Sequence, residues 1–143
     1  MKLVRLIYAS HLAAPLTKAQ TQGILSASER NNAETGITGF LCISPKFALQ
    51  CLEGDRVEVN FLYNKIARDE RHSEPVILRY VEPWRRLFPE WHMGYSSELS
   101  SAAPESSRWC DGSGFNPYMV ESDLIENVIE ELCERSEREI MRA

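Results

Sequence analysis

The chain has 143 residues, 43% of them hydrophobic and 26% charged, which suits one soluble globular domain with a core of its own. Its net charge of −5 comes wholly from residues 120–143, which carry 8 acidic and 3 basic residues, and Arg85-Arg86 is the longest basic run, so nucleic-acid binding lacks its electrostatic footprint. No apolar run approaches the ~18 residues of a membrane span, no secretory leader is read near the start, and four cysteines without metal-ligand spacing point to a reduced, cytoplasmic setting.

KLVRLIYAS at 2–10 reads as a first strand. Thr17 and Gln20 have capping-box spacing and open a helix that the pattern carries to Asn31-Asn32, where an asparagine cap is expected. TGITGFLCIS begins a second strand, and the turn Ser44-Pro45-Lys46 leads into FALQCLE, a hairpin. Asp55 and Glu58 repeat the capping pattern for a helix over 56–71, with Phe61, Leu62 and Ile66 as its buried stripe and Lys65 and Asp69 as a surface pair. PVILRYVEP reads as a fourth strand and EWHMGYSS as a fifth, with Trp91 and Met93 on one face.

This β-α-β-β-α-β-β order predicts an α+β, ferredoxin-like sheet with both helices on one face and strands one and three at its centre. SSELSSAAPESS reads as a linker. Leu124, Ile125, Val128, Ile129 and Leu132 then recur at helical spacing, predicting a C-terminal helix that covers the other face or offers a docking surface. The expected division is a domain at 1–97 and a linker with helical extension at 98–143.

FALQCLEG is apolar on both faces except at Gln50, as in a central strand. A buried amide without partners costs roughly 1–3 kcal/mol. His11, His72 and His92 show no metal pattern and are read as surface or capping residues, and no nucleophile elbow or phosphate loop is present. What stands out is a phenol and two amides, Tyr8, Asn32 and Gln50, near one end of a sheet with helices above it. That suits a planar ligand with hydrogen-bonding edges.

RLIYAS, RNN at 30–32 followed by GITGFL, LQCLEG, DERH at 69–72 and WHMGYS together resemble a BLUF domain, a sensor of blue light using FAD, from the first strand to about residue 97. The resemblance implies a flavin between the two helices: FAD, with FMN or riboflavin also able to make the ring contacts. Ile24 and Ile66 would sandwich the ring, Asn32 would bind its pyrimidine edge and Arg71 would point to C2=O. Asn31, Lys65 and Asp69 would support the flavin or its side chain, with Ser28 behind them; Lys65 stands where many relatives carry Arg, whose planar fork a point charge does not reproduce.

The resemblance further implies a photoactive pair. Tyr8 would pass an electron and a proton to the excited flavin, and recombination would leave Gln50 rotated or tautomerised, bonded more strongly to C4=O, with absorption shifted to the red. Trp91 and Met93 would carry the signal to the tail, and from there to an unidentified downstream protein or a homo-oligomer. No metal, nucleic acid, membrane or substrate turnover is expected. The competing reading is a ferredoxin-like regulatory domain that binds another small molecule without photochemistry.

Overall fold

A ten-residue strand, β1 (Leu3–Leu12), runs through the middle of a five-stranded sheet. It is followed by α1 (Lys18–Thr35), the hairpin β2 (Thr38–Ile43) and β3 (Phe47–Asp55), α2 (Arg56–Ala67), β4 (His72–Val81) and β5 (Gly94–Ser96). The computed structural model describes the backbone of residues 1–142 and the side chains of residues 1–137. Strand order is β4-β1-β3-β2-β5, antiparallel throughout except for β2 beside β5. This is the ferredoxin-like arrangement, and Tyr8 lies directly opposite Gln50 on the two central strands.

The period-two alternation divides the core. Val4, Leu6 and Tyr8 of β1 join Leu41, Ala48 and Leu52 under α1 and α2. Ile7 and Ala9 join Phe40, Cys42, Leu49 and Cys51 on the opposite face, where Ile125, Ile129 and Leu132 close the core. Those last residues belong to α3 (Ile125–Arg142), reached through a short 3-10 turn at Leu99–Ser101 and a small hairpin, β6 (Cys110–Asp111) with β7 (Gly114–Phe115). The extension expected at 98–143 therefore covers the second face; its last residue, Ala143, lies outside the described residues. Its Ser-rich stretch does not run free, for Leu99 is fully buried and Ala102 and Ala103 pack on the same cluster.

Three boundaries differ from the sequence expectation. The capping box at Thr17 and Gln20 forms, but α1 continues past Asn31-Asn32 to Thr35. Gly36, at φ +76°, supplies the left-handed cap and returns its N–H to Asn32 O. Helix α2 ends at Ala67, and its inward stripe is Val59, Leu62, Tyr63 and Ile66. Phe61 falls off that i, i+3/i+4, i+7 stripe and is 70% exposed.

The fifth strand is only Gly94–Ser96, so Trp91 and Met93 precede it rather than sharing one of its faces. Met93 packs in the cluster with Tyr8, whereas Trp91 packs across the sheet edge on Phe40, ring centroids 5.7 Å apart. A Cβ at Gly94 would lie 2.5 Å from both of those rings, so glycine is required there.

A buried charge network joins the layers on the α3 side. Arg5 Nε bonds Glu53 Oε2 at 3.0 Å, Arg5 Nη1 pairs with Glu126 of α3, and Arg79 Nε reaches Glu126 Oε1 at 2.7 Å. Glu53, fully buried, also accepts the N–H groups of Leu87 and Phe88 at 2.9 Å, which fastens the irregular segment before β5.

Candidate functional site

Gln50 meets the need its burial creates. Its Oε1 accepts the Tyr8 hydroxyl at 2.5 Å and its Nε2 donates to Met93 Sδ at 3.3 Å. Burial pushes the Tyr8 phenol well above its ordinary value of 10.0, with Tyr63 and Asp69 adding to the effect, so the hydroxyl is a firm donor at neutral pH. Tyr63 of α2 meets the Tyr8 ring edge-on, centroids 5.4 Å apart, and fixes its plane from above.

Over this pair lies a cleft between α1 and α2, floored by Leu41, Ile43 and Ala48 and walled by Ile24 and Ser28 on one side and Ile66 on the other. Asp69, Arg71 and His72 form its polar end. Arg71 Nε bonds Asp69 Oδ1 at 2.9 Å, and the same carboxylate takes the Arg71 backbone N–H at 2.9 Å. These bonds hold the Asp69 pKa down at about 2. His72 Nε2 faces Ile66 O at 2.7 Å, and because a carbonyl only accepts, this nitrogen carries the hydrogen. Nδ1 sits 2.8 Å from Ser10 Oγ, so His72 ties the end of α2 to β1.

Seven of the residues singled out from sequence thus share one cleft: Tyr8, Ile24, Ser28, Gln50, Ile66, Asp69 and Arg71. Asn31, Asn32 and Lys65 are not among its lining. Asn31 and Lys65 are exposed. Asn32 is buried and donates Nδ2 to His92 O at 2.7 Å, leaving Oδ1 as its remaining side-chain polar atom. The Lys65–Asp69 pair does not form, because α2 stops at Ala67 and the chain turns Asp69 toward Arg71. His72 and the apolar floor were not singled out as site residues, although His72 stood in the DERH motif. His72 does take a capping part, on Ile66 O at the end of α2, whereas His92 Nδ1 lies 3.0 Å from Ile37 O, beyond the end of α1.

The cleft has a volume of about 110 Å³. That is below the ~300 Å³ of a typical ligand site, so a three-ring ligand would also fill the mouth where the helices part. The residues fit such a ligand. Two isoleucines face each other across the gap, a carboxylate–guanidinium pair closes one end, and an amide with a rotatable pair of polar ends lies beneath. Fold and site together present a ligand cleft between two helices on a ferredoxin-like sheet, suited to a flat group with polar edges.

Residues 3–94 match the model of the BLUF family, described as sensors of blue light using FAD. The chain belongs to that family, and with it to the flavin-binding photoreceptors. It is 37% identical over 62 residues to the photoactivated adenylate cyclase subunit beta-like protein FB of Euglena gracilis, a stretch that is 43% of this chain and 7% of that protein. It is 31% identical over 86 residues to the blue light- and temperature-regulated antirepressor BluF of Escherichia coli, covering 59% of this chain and 21% of that one. The chain therefore spans a small fraction of these relatives.

Among solved structures it resembles the dark state of the BLUF protein BlrB, with TM-score 0.66 and 33% identity over 73% of this chain and 80% of the other. It also resembles the photo-activated state of BlsA, with TM-score 0.73 and 26% identity over 91% and 94%. The second likeness includes the extension beyond residue 97. Among the described residues no helix is long and apolar enough to cross a membrane.

Proposed function

We propose that this protein senses blue light through FAD held between α1 and α2, and that Tyr8 and Gln50 are its photoactive pair. One observation carries the reading: the Tyr8 hydroxyl donates to Gln50 Oε1 at 2.5 Å beneath a cleft walled by Ile24 and Ile66. When bound, the flavin supplies blue-light absorption and, once excited, an electron acceptor.

Tyr8 gives the electron, and its phenolic proton leaves along the existing bond to Gln50 Oε1. Return of both to Tyr8 leaves the carboxamide turned end for end, with Nε2 withdrawn from Met93 Sδ to the position that Oε1 held beside the Tyr8 hydroxyl. The two ends of an amide are nearly equal in size, so the turn has little steric cost, and it leaves Oε1 facing a thioether that has no hydrogen to donate.

Ile24 and Ile66 hold the ring from either side, Asn32 and Arg71 serve its polar edge, and Ser28, Asn31, Lys65 and Asp69 support the remainder, with Asn31, Asn32 and Lys65 met where the ligand extends past the lining of the cleft. Arg71 brings its guanidinium already paired with Asp69, so its position is set before any ligand arrives. FAD is the flavin named for the family; FMN or riboflavin would satisfy the same ring contacts.

The domain at 1–97 does the sensing and turns over no substrate. The unit at 98–143 delivers the signal to a protein partner or to a second copy, with Met93 as the first residue moved and Trp91 behind it. Output through a protein partner is favoured by the name of the Escherichia coli relative, an antirepressor.

The test is the purified protein in blue light. A reversible red shift of a flavin spectrum, with FAD identified by chromatography after denaturation, is expected. A bound flavin whose spectrum does not shift, or a colourless protein, would contradict the reading and return the chain to a regulatory domain without photochemistry.

A further inference from the structure

A second hollow, of about 490 Å³, lies outside the cleft, where β5 closes the edge of the sheet. Glu29 of α1, Phe40, residues 90–95 and Ser136 of α3 line it. Its acids are Glu29 and Glu90, both exposed, and neither carboxylate has a hydrogen bond or ion pair with the other described residues. Its walls include Trp91 and Tyr95. No Lys or Arg is among the lining residues, and α3, which brings Ser136 to the rim, exposes Glu134 and Glu137. Two free carboxylates beside aromatic residues suit a flat cation, since a guanidinium stacks on a ring while its N–H fork serves a carboxylate.

Met93 connects this hollow to the cleft. Its Sδ accepts Gln50 Nε2 at 3.3 Å on the inner side, and the residue also lines the hollow. The segment before it is fastened at several points: Phe88 N to Glu53 at 2.9 Å, Trp91 O to Gly39 N at 3.0 Å and His92 O to Asn32 Nδ2 at 2.7 Å. A displacement of Met93 therefore passes forward, into Gly94–Ser96 and the wall of the hollow.

We infer that the hollow is the docking site for a basic segment of a partner protein that inserts an arginine between Glu29, Glu90 and Trp91, and that Met93 makes its affinity depend on the state of Gln50. Only the dependence on light rests on the photosensor reading. The occupant follows from charge complementarity: the hollow is lined by Glu29 and Glu90 with no Lys or Arg, and α3 exposes Glu134 and Glu137 beside it.

The test is a titration of the isotope-labelled protein in the dark with N-acetyl-arginine amide, following the Trp91 indole N–H and the Gly94 amide. Saturable shifts are expected, weaker by about tenfold or more with the neutral citrulline analogue and in Glu29→Gln/Glu90→Gln, which removes two charge-assisted contacts. Equal shifts with citrulline, unchanged shifts in the double variant, or none at all would overturn the site. Displacement of the probe by raising the protein's own concentration would give the hollow to a second copy and likewise overturn it. Repeating the titration under blue light tests the coupling. An unchanged affinity alongside a normal absorption shift overturns the role of Met93, whereas a missing absorption shift counts against the photosensor reading and leaves the dark titration to decide the hollow.

Discussion

Tyr8 and Gln50 were readable because strand periodicity is strict. One polar residue in a strand apolar on both faces must find a partner across the ladder, and the register puts the phenol directly opposite. Asn31 and Lys65 came only from the family pattern, and neither reaches the lining of the cleft. Burial raises the Tyr8 pKa above 10.0, and this has a pH signature. Folded and unfolded chains both keep the proton below pH 10.0, so Tyr8 adds no pH dependence there. Above it the unfolded chain loses the proton first, and stability falls by up to ~1.4 kcal/mol per pH unit. Urea unfolding of wild type and Tyr8→Phe on either side of that pH measures it. The variant is expected to lose less stability on the alkaline side; equal losses would show that Tyr8 is not the buried acid described here.

Helix and strand identities followed from local pattern, but their limits depended on distant groups. Nothing in EWHMGYSS announces that its first residues are irregular. They are held out of the ladder by Gly39, which bonds Trp91 O, and by Asn32, 60 positions from the His92 carbonyl it bonds. The phase of α2 was likewise set by the turn out of β3, which exposes Phe61 and buries Val59. The Arg5–Glu126 pair shows the same dependence on distant partners, since it joins residues 121 positions apart. Because Arg5 keeps Glu53 after Glu126→Ala, the loss is expected to be about 2 kcal/mol, that of charge-assisted hydrogen bonds rather than of a stranded charge. Hydrogen exchange should then quicken in α3 while the amides of β1 and β3 stay protected. Equal quickening in all three would mean that the network holds the whole sheet rather than docking the helix.

The sheet has one chemical face and one structural face, and the chain separates them cleanly. Tyr8, Gln50 and Met93 lie under α1 and α2, and Arg5, Glu53 and Glu126 lie under α3, with the same two central strands carrying both sets. A state change at Gln50 is thus three residues along β3 from the carboxylate that fastens the segment before β5. Family membership was legible from motifs spread over residues 5–96, whereas the packing of the tail was legible only as a helical apolar stripe. The most direct measurement is the light-minus-dark absorption spectrum of Gln50→Leu beside wild type. The variant should still purify with flavin, since Ile24, Ile66 and the Asp69–Arg71 pair remain, and should show no red-shifted state. A wild-type-like shift in Gln50→Leu would contradict the assignment of that amide as the switch.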